Sequence, residues 1–203
     1  GINLQTIREG LARHAWSEAQ LTELEKYLAS INLLAEYLHA MRGERAFGTS
    51  TLDYIRRPGF HFNASEWMGD DSKPVQFHSL LPSGWFYQNM LTISQMHQDF
   101  TLPVVDEKSH RVFPEYAQLL EAATEALGIG SYHPYKAFAA LFFPALSKAI
   151  MKSARMQTYV DASQVACALE RFRLANGKLP DSLDVLVPQF IAKIPPDVID
   201  GKP

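Results

Sequence analysis

The chain has 203 residues, with 19 Lys and Arg against 22 Asp and Glu, so its formal net charge at pH 7 is −3. Hydrophobic residues make up 47% and charged residues 20%, the composition of a globular protein and not of a disordered one. The negative net charge argues against a general nucleic-acid binder, which is usually basic. The single cysteine excludes an internal disulfide and a cysteine-based zinc site. We find no run of about 18 apolar residues and expect no membrane-spanning helix within the chain.

The N-terminal quarter of the chain lacks proline and has the pattern of a helical hairpin. Ile7 and Leu11 mark a short amphipathic helix. Ser17 and Gln20 have the spacing of a capping box, which starts the next helix. Apolar residues then recur at steps of three and four and predict one long helical face, which consists of Leu21, Leu24, Leu28, Ile31, Leu34 and Leu38. We expect Gly43 to end this helix.

The middle of the chain is interrupted repeatedly by proline and glycine. We expect helices over residues 85–99 and 114–127. Pro114 suits the first turn of the second of these helices, and Gly128 suits its C-cap. Valine pairs on both sides of the polar residues 106–111 predict at most a short hairpin.

The last third of the chain is predicted to be helical and to end in a tail. Residues 137–147 are apolar but contain Pro144, so we expect a short buried helix there and not a membrane span. A second amphipathic stripe follows, and the Asn176–Gly177 pair should end it because both residues tolerate the left-handed conformation. Prolines then divide a tail that contains one short helix, over residues 182–187.

Together these elements predict a mainly α fold. It would be a multi-helix bundle with irregular proline-rich loops and little or no β-sheet. We expect a single α-helical domain over residues 1–203, in which residues 159–203 form a distinct C-terminal segment.

The standard catalytic motifs are absent from the sequence. It contains no phosphate-binding loop, no nucleophile elbow and no zinc-binding HExxH helix. His61 and His78 flank the Asp70–Asp71 pair, which would suit a metal-dependent hydrolase if the four side chains converged. Histidines more often lie at a surface or partly buried without a ligand. We therefore expect no catalytic residue, cofactor or metal site, and keep the hydrolase as an alternative.

Two charged clusters and two aromatic loops each allow two interpretations. Arg42, Glu44 and Arg45, at the expected helix break, could form an ion-pair cluster that fixes the turn, or a binding surface. Glu170, Arg171 and Arg173 allow the same two interpretations. The aromatic residues around Trp67 and Trp85 could line the groove of a soluble ligand-binding module, or could cover the helices beneath them. Cys167 is expected to be a small buried hydrophobe.

One stretch near the C-terminus is more specific. It has an Ala-Leu-Glu helix end, an aromatic residue, Asn-Gly, a hydrophobic residue before proline, and Leu-x-x-Leu. These are Ala168, Leu169, Glu170, Phe172, Asn176, Gly177, Leu179, Pro180, Leu183 and Leu186. The stretch resembles the end of the long helix, and the loop after it, in the major pseudopilin of bacterial type II secretion. In structural terms, we expect the helix to end at Asn-Gly and Pro180 to prevent the helix from resuming. Leu183 and Leu186 would then pack the following segment onto the helix.

The resemblance implies a non-enzymatic protein of the bacterial cell envelope. Its partners would be envelope proteins, among them components of the general secretion pathway, and not nucleic acid. It would lie on the extracytoplasmic side of the inner membrane, held by an anchor upstream of Gly1 and outside this chain. A pseudopilin has an apolar N-terminal helix that runs directly into this motif, whereas here roughly 160 residues precede it. Residues 16–28, 41–46 and 84–89 resemble a group of bacterial proteins that carry such a tail.

Overall fold

A computed structural model describes residues 3–57, 81–128 and 134–202. The fold is mainly α-helical, as the sequence predicts. In chain order the α-helices are α1 (Leu4–Ala12), α2 (Glu18–Ala29), α3 (Leu33–Ile55), α4 (Ser83–Met96), α5 (Pro114–Leu127), α6 (Ala137–Phe142) and α7 (Ser147–Asn176). A π-helical turn over His97–Thr101 follows α4, and 3-10 turns cover Pro134–Lys136, Phe143–Ala145 and Leu183–Leu186.

The sheet in the described part of the chain is one small hairpin. Strand β1 (Val105–Asp106) pairs antiparallel with β2 (Arg111–Val112), and Val105 lies opposite Val112. This agrees with the predicted short hairpin around residues 106–111.

The chain divides into two compact units. The first unit comprises residues 1–37, 105–112 and 151–203, and the second comprises residues 38–104 and 113–150. Each unit has a hydrophobic core of its own, described below. The prediction of a single domain stays a prediction.

The core of the first unit lies between α1, α2 and the middle of α7. Its buried side chains are Ile7, Leu21, Leu24, Leu28, Val160 and Cys167. The predicted capping box is confirmed: the Gln20 backbone N–H donates to the Ser17 hydroxyl, and the Ser17 backbone N–H donates to the Gln20 side chain. Cys167 is fully buried, and this burial raises the pKa of its thiol to about 11, so it behaves as the small hydrophobe expected from the sequence.

The long helical face predicted for residues 21–38 is in fact interrupted between α2 and α3. Asn32 caps α3 by accepting a hydrogen bond from the Ala35 backbone N–H at 3.1 Å. The buried Gln157 of α7 holds the same turn, because its side chain accepts from the Leu33 N–H at 2.7 Å and donates to the Ile31 carbonyl. Gly43 lies inside α3, so the break predicted there is wrong.

Two glycines provide a matched test of these helix boundaries. A Cβ at Gly43 would meet no atom within 4 Å, so Gly43→Ala should raise the free energy of unfolding by about 0.5–1 kcal/mol. Gly177 has a φ of +73°, so Gly177→Ala should lower it by about 1–2 kcal/mol. Urea denaturation of both variants measures the difference. Effects of the same sign would contradict these boundaries.

The core of the second unit is rich in aromatic and aliphatic side chains. Its buried members are Leu52, Phe86, Ile93, Met96, Leu120, Leu127, Ala139, Ala140 and Phe143. The buried Asn89 of α4 joins two elements of this unit: its side chain accepts from the Ala139 N–H and donates to the Trp85 carbonyl. Helix α5 begins with Pro114 and ends before Gly128, as predicted.

The apolar residues 137–147 do not form one buried helix. They are divided between α6, a 3-10 turn that contains Pro144, and the start of α7. Phe143 is fully buried, whereas Leu141 is 69% exposed. The prediction of one buried helix over residues 137–147 is therefore only partly correct, because some of these residues are buried and others are exposed.

One helical stretch of the described residues, Ala137–Asn176, is long and apolar enough to cross a membrane by length and composition alone. Its most apolar 18-residue window has a mean hydropathy of 1.2, and 29% of that window is buried. The prediction that no helix of this chain spans a membrane stays a prediction. Core helices of soluble proteins meet it too, and α7 also supplies Val160 and Cys167 to a core, so the finding is weak support for a span.

Candidate interaction surface at the C-terminal segment

The long helix α7 ends where the sequence motif predicts. Gly177 adopts the left-handed conformation with a φ of +73°, and its N–H donates to the Arg173 carbonyl at 2.7 Å. The Asn176 side chain donates to the Phe172 carbonyl one turn earlier. These bonds satisfy carbonyls that would otherwise lack partners at the helix end. The chain then turns away from the axis of α7 before Pro180.

The segment after this turn is fixed to α7 by a small hydrophobic cluster. Leu186 is fully buried together with Phe190, Ile191 and Ala168 of α7. The rings of Phe172 and Phe190 make an edge-to-face contact with centroids 5.4 Å apart. The tail is thus packed onto the helix, as the motif predicts for Leu186.

Arg171 ties the tail to α2. Its guanidinium forms ion pairs with Glu18, at 2.8 Å, and with Glu25, and it donates to the Phe190 carbonyl at 2.9 Å. It also lies over the Phe190 ring. The planar guanidinium has five N–H donors in a fixed fork, so it can reach more acceptors, over a wider span, than the compact ammonium of lysine. Of the two interpretations left open for Arg171, the structure supports the ion-pair network.

Glu170 joins the same end of α7 to the loop after α1. Its carboxylate accepts two hydrogen bonds from Arg173, both at 2.8 Å, and its Oε1 lies 2.9 Å from His14 Nδ1. The carboxylate is nearly buried. The hydrogen bonds from Arg173, and secondarily the His14 contact, hold the pKa of Glu170 below its ordinary value, although burial acts in the opposite direction.

The depressed pKa of Glu170 predicts a defined pH dependence. Its stabilising contribution is present above the unfolded pKa, near 4.5, and is lost as the pH falls through the lower folded value. Glu170→Gln should therefore lower the free energy of unfolding by about 1.5–3 kcal/mol at pH 7, and by progressively less below pH 4.5. Denaturation between pH 7 and pH 3 measures this. A deficit that stays constant over that range would contradict the assignment; Glu23→Gln, on the exposed face of α2, is the control.

Exposed apolar side chains lie at the last turn of α7 and along the outer side of the tail. They lie between residues 174 and 187 and are Leu174, Leu179, Leu183, Val185 and Val187, of which Leu179 is 58% exposed and Val185 is 52% exposed. Single exposed apolar residues are ordinary, but several along one short fixed segment are typical of a protein-contact surface. We call these five residues the tail row.

The structure corrects one member of the predicted motif. Leu186 packs onto α7, but Leu183 is 43% exposed and belongs to the tail row. The surface of α7 near Ala168 is covered by Leu186 together with Phe190 and Ile191, which follow Leu186 in the chain. Leu183 therefore lies outside the packed cluster.

The other predicted charged cluster is not formed among the described residues. Arg42, Glu44 and Arg45 lie within the continuous helix α3, and none of the ion pairs found in residues 3–57, 81–128 and 134–202 involves them. Arg45 donates instead to the Gln98 side chain at 3.4 Å. Without a break at Gly43, no turn exists there for an ion-pair cluster to fix.

The residues of the hydrolase alternative lie outside the described part of the chain. They are His61, His78, Asp70 and Asp71, and the aromatic loop with Trp67 lies in the same range. Within the residues that are described, no group of three or more His, Cys, Asp or Glu side chains could hold a metal ion. The hydrolase and the aromatic groove therefore remain untested.

Two buried polar groups were not singled out as sites from the sequence. His97, in the π-helical turn, places Nδ1 2.7 Å from the Thr101 hydroxyl, and its buried Nε2 has no hydrogen-bond partner. Asp161 of α7 accepts a hydrogen bond from Gln157, and burial raises the pKa of its carboxyl. The spacing of four residues between His97 and Thr101 is compatible with their hydrogen bond. The same spacing is common in surface helices, so it does not indicate from the sequence that His97 is buried.

Comparisons of this chain with protein-family models, with curated proteins and with solved structures find no match. The resemblance to pseudopilins therefore rests on the residues of the C-terminal motif alone.

Proposed function

We propose that this protein is a non-enzymatic component of the bacterial cell envelope that acts through protein–protein contacts. In this proposal it works on the extracytoplasmic side of the inner membrane, in or beside a general (type II) secretion system. The tail row would be the surface that contacts another envelope protein.

The observation that carries the proposal is the contrast between the two sides of the tail. On the inner side, Leu186 and Phe190 are buried and Arg171 bonds the Phe190 carbonyl, so the backbone is held in place. On the outer side, Leu179 and Val185 are more than half exposed. A fixed backbone that presents apolar side chains loses little conformational entropy on binding, which favours association.

Two further features support the proposal. The sequence of the C-terminal motif resembles the pseudopilin helix end. In this chain Gly177 ends α7 in the left-handed conformation, and Leu186 packs onto that helix. The motif also begins within a helical stretch, Ala137–Asn176, that contains an apolar window, as the helix of a pseudopilin does.

Fractionation of the native full-length protein in its own cell tests the proposed location. The membrane pellet, its carbonate-washed fraction and the soluble fraction are probed separately, and the mass of the mature N-terminus is determined. We expect the protein in the membrane fraction, accessible to protease from the extracytoplasmic side. Recovery in the soluble cytoplasm would overturn the proposed location.

A further inference from the structure

The first unit contains a groove. One wall is formed by residues 151–158 of α7, and the other by Val198 and Ile199 near the C-terminus. The groove is open to solvent on one side and has a volume of about 370 Å³, within the size range of small-molecule sites. Ala154 and Val198 are buried at its base, and Met151 and Ile199 expose apolar side chains at its rim. The groove therefore offers apolar contact over a short distance.

Two cations, Lys152 and Arg155, stand on the helical side of this groove. Their spacing of three residues places them on the same face of α7. Among the described residues neither forms an ion pair, and none of the described residues that line the groove is acidic. The groove thus combines two uncompensated positive charges with an apolar surface.

The opposite wall of the groove is built before any ligand binds. The Val198 carbonyl accepts from the Val112 N–H, and the Ile199 carbonyl accepts from the Arg111 guanidinium at 2.9 Å. Asp197 lies beside the groove, but its carboxylate already accepts the Ile199 N–H at 2.7 Å. Little ordering entropy remains to be lost at this wall when a ligand binds.

From this arrangement we propose that the groove binds a small amphiphilic anion, a phosphate or carboxylate group on a short apolar chain. Lys152 and Arg155 hold the anionic group of the ligand, and Met151 and Ile199 contact its apolar chain. The site is separate from the tail row and does not depend on the proposed function.

Titrations of the full chain, followed by the backbone amide NMR shifts of Ala154, Thr158 and Ile199, test the proposal. The probes are hexyl phosphate and hexanoate, which carry both parts, inorganic phosphate, which carries the charge alone, and hexanol, which carries the chain alone. We expect at least one of the two amphiphilic probes to shift these amides, with an affinity about tenfold or more above that of inorganic phosphate and of hexanol.

Matched variants separate this site from general charge attraction. The double variant Lys152→Gln/Arg155→Gln should weaken binding of the amphiphilic probe about tenfold or more, and Ile199→Ser should reduce its affinity toward that of inorganic phosphate. The control Lys26→Gln/Lys193→Gln removes the same charge from exposed positions outside the groove and should bind as the wild type does. All of these side chains are exposed, so folding is preserved. Shifts that map elsewhere, or equal binding by the two double variants, would overturn the proposal.

Discussion

Replacing Leu186 by alanine is expected to lower the free energy of unfolding by about 2–5 kcal/mol. Leu186 is fully buried against Ala168, Phe190 and Ile191, so the substitution leaves a cavity in the cluster that fixes the tail to α7. Leu183→Ala, three residues earlier in the same 3-10 turn, should change the free energy of unfolding by no more than about 0.5 kcal/mol, because Leu183 is 43% exposed and lies outside the packed cluster.

Urea denaturation of the two leucine variants, monitored by circular dichroism, measures this contrast. The pair is well matched because both substitutions remove the same atoms from the same turn. Equal losses of stability in the two variants would show that Leu183 packs as tightly as Leu186. Leu183 would then not be an exposed residue of the tail row.

Lowering the pH from 7 to 4 is expected to destabilise the protein by about 2–3 kcal/mol through His97 alone. Burial is the main cause that lowers the pKa of His97 to about 4, and the nearby Arg45 cation acts in the same direction. The unfolded chain binds the proton near pH 6.5, whereas the folded protein resists it. Stability is therefore lost as the pH falls from about 6.5 towards 4, a window above that of Glu170.

The variant His97→Gln tests this assignment because it removes the titrating group and keeps a polar side chain beside Thr101. Its stability should be lower at pH 7 and should fall less than that of the wild type between pH 6.5 and 4. His39→Gln, on the exposed face of α3, removes a histidine without touching the buried one and serves as the control. A profile of His97→Gln that runs parallel to the wild type over this range would contradict the assignment.

Features set by neighbouring residues were predictable from the sequence. The Ser17–Gln20 capping box, Pro114 at the start of α5 and the Gly177 turn each depend on residues within about one helical turn. The break between α2 and α3 was missed because it depends partly on Gln157, which is distant in sequence from the Leu33 N–H that it bonds. The predicted helix break at Gly43 was wrong because tertiary packing outweighs local preference there. Glycine has low helix propensity, but α3 carries buried residues on both sides of Gly43.

The candidate surface was only partly predictable. The motif indicated that the chain returns to α7 after Pro180, but not which of two leucines three residues apart would be buried. That choice depends on Phe190 and Ile191, whose position follows from the tertiary fold. The hydrogen bond of Glu170 to His14 and the ion pairs of Arg171 with Glu18 and Glu25 likewise join residues more than a hundred positions apart.

The most direct test of the tail row as a contact surface is site-specific photocrosslinking in the native cell. A photoreactive residue is placed at Leu179, Leu183 or Val185 in the full-length protein, and at the exposed Glu23 and Lys26 of α2 as controls. The account predicts a discrete crosslinked product with an envelope protein from the tail positions and none from the controls. No product from any tail position, or the same products from α2, would contradict it.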